Sequence, residues 1–389
     1  MLRFYNRTFT IREQLNNFIC DRSTIAERIK TDKRNDLLDE LNTENEDDIV
    51  LSFEKVKGVI PVLIMECPEL PQYKGDKKTG MSIQYIDQLN PEYSFTAENC
   101  QFDVQGTSSA GYPVKNFKIK LKGGLTYTAS GETADGWLFD KENSIETKVF
   151  CLKADYASSE HANNVCLVDF YEDTCPYRMP PQEIDKRVRQ GINGKPIMVF
   201  WRNTTIDKLF CQGCYNMNDD KSNEKTFGFV DVDVTSIVPE PRIECWEWCN
   251  NNNALCLFQD TAAFDEIKYD EDGKPYPAWQ DDLEPRYPDL DEMYDDLTAI
   301  RPMMEWVVST DTTKATGQTF GTPVKLSHYL TGISTTYSAD TAEYRLAKFK
   351  AEFEDHFILN AMLYYYLFTE VFLMIDSRAK NMFLTTFDG

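Results

Sequence analysis

An α+β fold is what this sequence predicts: an antiparallel, β-rich N-terminal part packed against a helical C-terminal part, with a cleft between them. Three observations predict it. Apolar positions alternate with polar ones, and turn signals recur, from about 50 to 230, which is the pattern of half-buried strands. Two helical patterns with apolar faces follow over 338–375. The chain of 389 residues is 42% hydrophobic and 13% aromatic, enough apolar material for a substantial core and too much for disorder throughout.

The elements follow in order. Residues 1–48 read as a helical lead-in, polar and helical over 9–46 and closed by the acidic run Asn42-Thr-Glu-Asn-Glu-Asp-Asp48. Residues 49–259 form the β-rich lobe. Within it Val56 to Met65 is a β-rich run, and 80–128 alternates between turns at Asn90-Pro91 and Gly123-Gly124. Lys148 to Asp155 and Pro196 to Arg202 are further strands, and 160–172 has a helical pattern. Residues 260–298 are acidic and interleaved with Pro, Tyr and Trp, the texture of a solvated surface loop. Its Asp270-Glu-Asp-Gly273 lacks the alternate-position ligands and the closing Glu of a Ca²⁺ loop. Residues 299–389 form the helical lobe. Tyr344, Phe349, Phe353, Phe357 and Ile358 give its first helix an apolar stripe. Phe357 to Ile375 is strongly apolar but carries Asn360, Thr369 and Glu370, so it is expected to be a buried helix rather than a membrane span. No internal repeat is visible.

Composition limits the partners. Lys and Arg number 41 against 64 Asp and Glu, a formal charge of −23. That argues against a broad nucleic-acid or anionic-membrane surface. The opening Met1-Leu-Arg-Phe-Tyr-Asn-Arg-Thr8 is not a basic-then-apolar leader, so the 11 cysteines read as reduced thiols of a cytoplasmic product. Cys211-Gln-Gly-Cys214 and Cys245-Trp-Glu-Trp-Cys249 have a spacing that a tetrahedral zinc site could use. The first pair sits in strand-like sequence, however, and packed thiols are the favoured reading.

Two segments carry candidate chemistry. The first is Asp376-Ser-Arg-Ala-Lys-Asn381, followed by a strand-like stretch and the turn Asp388-Gly389. Phosphoryl transfer needs that order: a carboxylate, here Asp376, to orient the attacking hydroxyl, and an amide oxygen and second carboxylate, here Asn381 and Asp388, to hold Mg²⁺ on nucleotide phosphates. Arg378 stands two residues after Asp376, where it could contact the transferred phosphate. Against this, Asp376 could cap backbone groups and Asp-Gly is a common turn. The second segment is Val104-Gln-Gly106-Thr107-Ser108-Ser109, leading to Lys115-Asn-Phe-Lys118-Ile-Lys120. A turn of small residues lets backbone N–H groups approach phosphates, and Lys118 or Lys120, with Lys115 behind them, could reach the same ligand. Lys118, Lys120 and Lys122 share one strand face, and Phe117, Ile119 and Leu121 the other. An ordinary hairpin with a solvated lysine face fits the spacing equally. Glu244, Glu247 and Glu370 are candidates for the lysine's carboxylate partner, and His161 reads as a hydrogen-bonded residue at a helix start.

Gln105-Gly-Thr-Ser-Ser with Tyr112-Pro-Val-Lys-Asn-Phe-Lys-Ile-Lys120 resembles a conserved segment of the CotH family, the spore-coat-type atypical protein kinases. Leu152-Lys-Ala-Asp-Tyr-Ala-Ser-Ser-Glu-His-Ala-Asn-Asn164, Gly191 to Trp201 and Gln212 to Asn216 resemble further blocks of that family in the same order, and Asp376, Asn381 and Asp388 match its catalytic and metal-binding positions. The matching blocks span about 100 to 389. The wording of Lys153-Ala-Asp-Tyr156 and Asn218-Asp-Asp-Lys-Ser-Asn223 is most similar to CotH-like modules of bacteriophage structural proteins. Two departures stand out: Gln105 replaces the family's usual Arg, and Phe387-Asp388-Gly389 is not the Asp-Phe-Gly order. A kinase-like lobe has further helices after this point, so either the chain is expected to continue beyond 389 or the site is left open.

The resemblance implies a kinase-like fold; with the acidic, aromatic-bearing 260–298 stretch, three readings of function stay open. One is a phage tail or baseplate protein with a vestigial nucleotide site, whose partners are other virion proteins or further copies of itself. Another is an active kinase using ATP and Mg²⁺ on Ser or Thr of a protein substrate. The third is a non-enzymatic module binding a partner or glycan. The expected location is the virion, assembled in the host cytoplasm, or the cytoplasm for a cellular kinase. Neither nucleic acid nor membrane is an expected partner.

Overall fold

The computed structural model describes residues 59–106, 109–140, 142–156, 163–248, 267–277, 283–288, 299, 303, 306, 324–327, 334–337, 342–374, 377 and 381–389. The expected helical lead-in over 9–46 and the candidates Thr107, Ser108, His161, Cys249, Asp376 and Arg378 lie outside these residues. The chain divides into two units, one of Met1–Thr174 with Lys186–Gly228 and one of Cys175–Asp185 with Phe229–Gly389.

The first unit is built on nine strands: β1 (Val62–Cys67), β2 (Lys78–Ile86), β3 (Phe95–Gln105), β4 (Asn116–Leu121), β5 (Leu125–Tyr127), β6 (Thr133–Ala134), β7 (Val149–Lys153), β8 (Gly194–Asn203) and β9 (Lys208–Asp219). One helix, α1 (Asn163–Thr174), connects β7 towards β8. The strand order is β2-β1-β8-β9-β7-β4-β3, and β3 pairs back onto β2, so seven strands close into a barrel. All its neighbours run antiparallel except β1 and β8, which pair in parallel from Val62↔Met198 to Cys67↔Asn203.

The barrel corrects the expected α+β, kinase-like fold. The β-rich part is a closed mixed barrel rather than an open antiparallel sheet, and among the described residues helices are few. The physical reason lies in what alternation encodes. It tells which face a residue uses, not which strand lies beside it. Closure depends on β1 and β8 meeting across most of the unit.

The faces themselves follow the sequence. In β4, Phe117, Ile119 and Leu121 are buried, while Asn116, Lys118 and Lys120 on the other face are only partly so. Inward positions from all seven strands make one core, including Leu63, Ile83, Phe102, Ile119, Leu152, Val199 and Met217. Trp137, fully buried, packs there against Tyr85 and Phe139 at ring separations of 4.7 and 4.5 Å, and its indole N–H donates to the Tyr93 carbonyl at 3.0 Å. The interior is thus filled by side chains. The parallel pair is buried on both faces: Val62, Ile64, Met198 and Phe200 form a second cluster outside the barrel. This explains why Val62-Leu-Ile-Met65 is a continuous apolar run, since parallel strands are covered on both sides.

In the second unit, β10 (Glu244–Trp248) is the middle strand of a three-stranded antiparallel sheet, between β13 (Leu283–Tyr287) and β16 (Met382–Thr386). Two hairpins, β11 (Ile267–Tyr269) with β12 (Pro275–Pro277) and β14 (Val324–Ser327) with β15 (Ser334–Tyr337), also belong here. The short helix α2 (Pro180–Ile184) precedes them in the chain. The described part of the acidic 260–298 stretch is therefore not plain loop. Asp270-Glu-Asp-Gly273 is the turn of the β11–β12 hairpin: Asp270 Oδ1 accepts the N–H groups of Asp272 and Lys274 at 3.0 and 2.8 Å. The two helices expected over 338–375 form, as α3 (Ala342–His356) and α4 (Leu359–Val371). Expected to be buried, α4 covers only Phe368 and Thr369 fully and exposes Leu363, Tyr366, Leu367 and Val371. Among the described residues no helix is long and apolar enough to cross a membrane.

Candidate functional site

The lysine-bearing outer face of β4 is the best-defined candidate. Register across β3, β4, β7 and β9 places Asp103, Lys118, Cys151 and Asn218 in one row, each opposite the next. The chain then turns out of β9 through Asp219 and Asp220, and this turn supplies Lys118 with its partner. Lys118 Nζ lies 3.0 Å from Asp220 Oδ2. The lysine side chain is 28% exposed and the aspartate 3%. Cys151 Sγ donates to the same Asp220 oxygen at 3.2 Å, and Ser222 donates to Oδ1 through its N–H at 3.1 Å and through its hydroxyl. Burial by itself would raise the Asp220 carboxyl. The Ser222 hydroxyl and the Lys118 ammonium outweigh it and hold the group at about 2. Burial, with the Asp220 charge, pushes the Cys151 thiol up to about 12, so it is no nucleophile.

Asp219 belongs to the same knot but to the opposite regime. Its Oδ1 accepts the Asn193 N–H at 2.7 Å and its Oδ2 accepts the Thr226 hydroxyl at 2.7 Å; that hydroxyl accepts in turn from Asn223 Nδ2 at 2.8 Å. Full burial still pushes its carboxyl up to about 7, against those hydrogen bonds. Two adjacent aspartates are thus driven in opposite directions by environment, one paired with a cation and one enclosed.

The turn before β4 is closed on itself. Gly106 has φ +105°, and a Cβ there would meet Ser109 Oγ at 2.0 Å, so the hydroxyl occupies the space beside the backbone. Asn116 Nδ2 donates to Ser109 Oγ at 3.5 Å, and Asn116 Oδ1 accepts the Ala154 N–H at 2.8 Å. Lys115 Nζ is spent on the Ala110 carbonyl at 2.8 Å. Lys120 lies opposite Gln101 and is partly buried. Around Lys118 the Oδ1 atoms of Asp103 and Asn218 are buried with no hydrogen-bond donor among the described residues. A phosphate brought to Lys118 would meet the Asp220 carboxylate and these oxygens, which disfavour an anion.

The second candidate set lies in the other unit. Asn381, with φ 54°, is exposed just before β16, and Asp388 is exposed just after it, where its Oδ1 accepts the Thr386 hydroxyl at 3.2 Å. The antiparallel register of β16 along β10 is continuous from Met382↔Trp248 to Thr386↔Glu244. Asn381 therefore sits at the Trp248 end and Asp388 near Arg242, beyond the other end. At about 3.3 Å per residue the strand alone separates its terminal Cα atoms by about 13 Å. Two ligands of one Mg²⁺, each about 2.1 Å from it, have oxygens within roughly 4 Å of each other. One strand thus holds these two side chains apart, and they do not fit a shared ion.

The remaining candidates are accounted for individually. Glu247 takes Arg286, whose Nε donates at 2.6 Å, and Glu244 accepts the Ala299 N–H at 3.0 Å and the Trp246 indole N–H at 3.2 Å. The lysine's partner is thus Asp220, which sequence reasoning did not name. Its one signal was the Asn218-Asp-Asp220 run at a strand end. Cys211 and Cys214 lie on β9 and Cys245 on β10, all free thiols pushed upward chiefly by burial. Among the described residues no group of three or more His, Cys, Asp or Glu side chains could hold a metal ion. Compared with models of known protein families and with the curated proteins, the chain matches none.

Proposed function

We propose that this chain is a structural component of a bacteriophage virion, of the tail or baseplate, and that it performs no phosphotransfer. The observation that carries the reading is the Lys118–Asp220 pair. The lysine that would approach nucleotide phosphates is neutralised by a buried carboxylate two strands away. The segment Asn218-Asp-Asp-Lys-Ser-Asn223, the wording most similar to phage modules, is the segment that forms this knot. A structural cause therefore accounts for the shared residues: they lock the end of β9 to β4 and β7. The separation of Asn381 from Asp388 by a continuous strand supports the same reading.

The test is mass spectrometry of purified particles combined with a transfer assay on the isolated chain. A stoichiometric copy number in particles, with no labelled γ-phosphate transferred to protein from Mg·ATP, is the expected result. Transfer abolished by Asp376→Asn at unchanged Tm, or absence of the chain from washed particles, would overturn it.

A further inference from the structure

Strand β9 carries a bulge between two cysteines. Its register along β8 sets Cys211 opposite Phe200, Gly213 opposite Val199 and Cys214 opposite Met198, which leaves Gln212 as an extra residue. Gly213 takes the positive φ of +108° that the kink requires. In a regular strand, side chains three residues apart lie on opposite faces. The extra residue cancels that offset and brings Cys211 and Cys214 to one face. Both pack against the cluster outside the barrel that Met198 and Phe200 share with Val62 and Ile64. Register also sets their separation. Met198 and Phe200 are two residues apart, so the cysteines opposite them have Cα atoms about 6.6 Å apart, inside the span of about 4.4–6.8 Å that a disulfide bridges.

The surroundings of the two sulfurs differ. Burial raises the Cys211 thiol, but the Gly213 N–H donates to its sulfur and works against that. Burial, and after it the charge of the neighbouring Cys211 sulfur, pushes the Cys214 thiol up to about 11. Most of the described thiols are buried, whereas these two are partly exposed. A Cβ on Gly213 would meet nothing within 4 Å, so the backbone between the cysteines is open to a small reagent. We propose that Cys211 and Cys214 are a dithiol that closes reversibly into a disulfide across the bulge, by exchange with a small-molecule disulfide such as oxidised glutathione. Cys211 loses its proton and attacks one sulfur of the reagent, which breaks the reagent's S–S bond and releases one thiol. Cys214 then loses its proton and attacks the Cys211 sulfur, releasing the second thiol. The protein gives up two hydrogens and two electrons, and the reagent takes them up. The loop that closes spans four residues, so it restrains the unfolded chain little, and the bond records a redox state rather than stapling the fold. The proposal does not depend on the function proposed above.

Mass spectrometry of the full chain tests it. The folded protein is held in excess oxidised glutathione, alkylated and cut with trypsin, which releases both cysteines in the single peptide 209–221. That peptide is expected to be two hydrogens lighter than its reduced form and to carry no alkyl label. Excess reduced glutathione should reopen the bond, after which the peptide takes two labels, with the far-ultraviolet circular dichroism spectrum of the protein unchanged throughout. In Cys214→Ser the first step should be trapped, with Cys211 held as its glutathione adduct. A wild-type peptide that takes two alkyl labels after oxidation would overturn the proposal. So would a glutathione on each cysteine, or a bond from either one to a cysteine elsewhere in the chain.

Discussion

Lys118 on β4 and Asp220 at the end of β9 form a 3.0 Å ion pair that crosses β7, and the Cys151 thiol between them donates to the same carboxylate oxygen. The pair links three barrel strands on their outer face. Its carboxylate is buried, so the energetic weight lies with the aspartate: a buried charge that loses its partner costs far more than an exposed one.

Lys118→Met should therefore destabilise the fold by about 2–3 kcal/mol, less than a fully enclosed pair because the ammonium remains partly exposed. Urea unfolding followed by circular dichroism measures it, through a lower midpoint at unchanged m-value. An unchanged midpoint together with lost nucleotide binding would point to a ligand lysine instead.

The two aspartates of the knot give opposite pH dependences. Asp220, held at about 2, contributes stability that is complete above its ordinary value of 3.8 and is lost as pH falls towards 2, on the order of 2 kcal/mol. Acid unfolding should steepen there, and Asp220→Asn should remove that component.

Asp219 works the other way. Its carboxyl is raised from 3.8 to about 7, so between those values the folded chain binds more protons than the unfolded one, and stability falls as pH rises through the window. Asp219→Asn should gain on the wild type from pH 4 to pH 7 by on the order of 3–4 kcal/mol, then run parallel above 7. Thermal melts of both proteins across that range decide it; parallel curves from pH 4 to 7 would place the proton elsewhere.

Gly194 opens β8 directly opposite Asn218. A Cβ there would lie 2.4 Å from the Met217 carbonyl oxygen and 2.8 Å from the Asn218 Cα, backbone atoms of the paired strand that have no freedom to move aside. Gly194→Ala should cost roughly 1–3 kcal/mol, as overpacking does, and lower Tm by several degrees. A neutral result would mean that β8 and β9 part more easily at this end than their register implies.

Trp137 is the central aromatic of the barrel interior, its ring tilted against those of Tyr85, Phe95 and Phe139. Trp137→Ala should cost about 3–5 kcal/mol. Trp137→Phe should cost about 1–3 kcal/mol, mainly by leaving the Tyr93 carbonyl without its donor. Urea unfolding followed by far-ultraviolet circular dichroism should show the larger fall in midpoint for the first variant.

The sequence by itself determined faces, and through them most of the strands. Phe117, Ile119 and Leu121 point inward and Lys118 and Lys120 outward because side chains alternate along any strand, whatever lies beside it. The β-rich run from Val56 to Met65 announced a strand, and the apolar spacing over 338–375 announced α3 and α4. The tertiary structure alone decided the neighbours. The parallel pairing of β1 with β8, which closes the barrel, joins residues as distant as Val62 and Met198, and no local pattern encodes which edges meet. Asp220 reaches Lys118 only because β7 sets the register between β4 and β9. Asn381 and Asp388 illustrate the same limit from the other side. Their spacing suits a metal pair if the chain reverses between them, but residues 382–386 run as one straight strand along β10, and its hydrogen bonds hold the two ends apart.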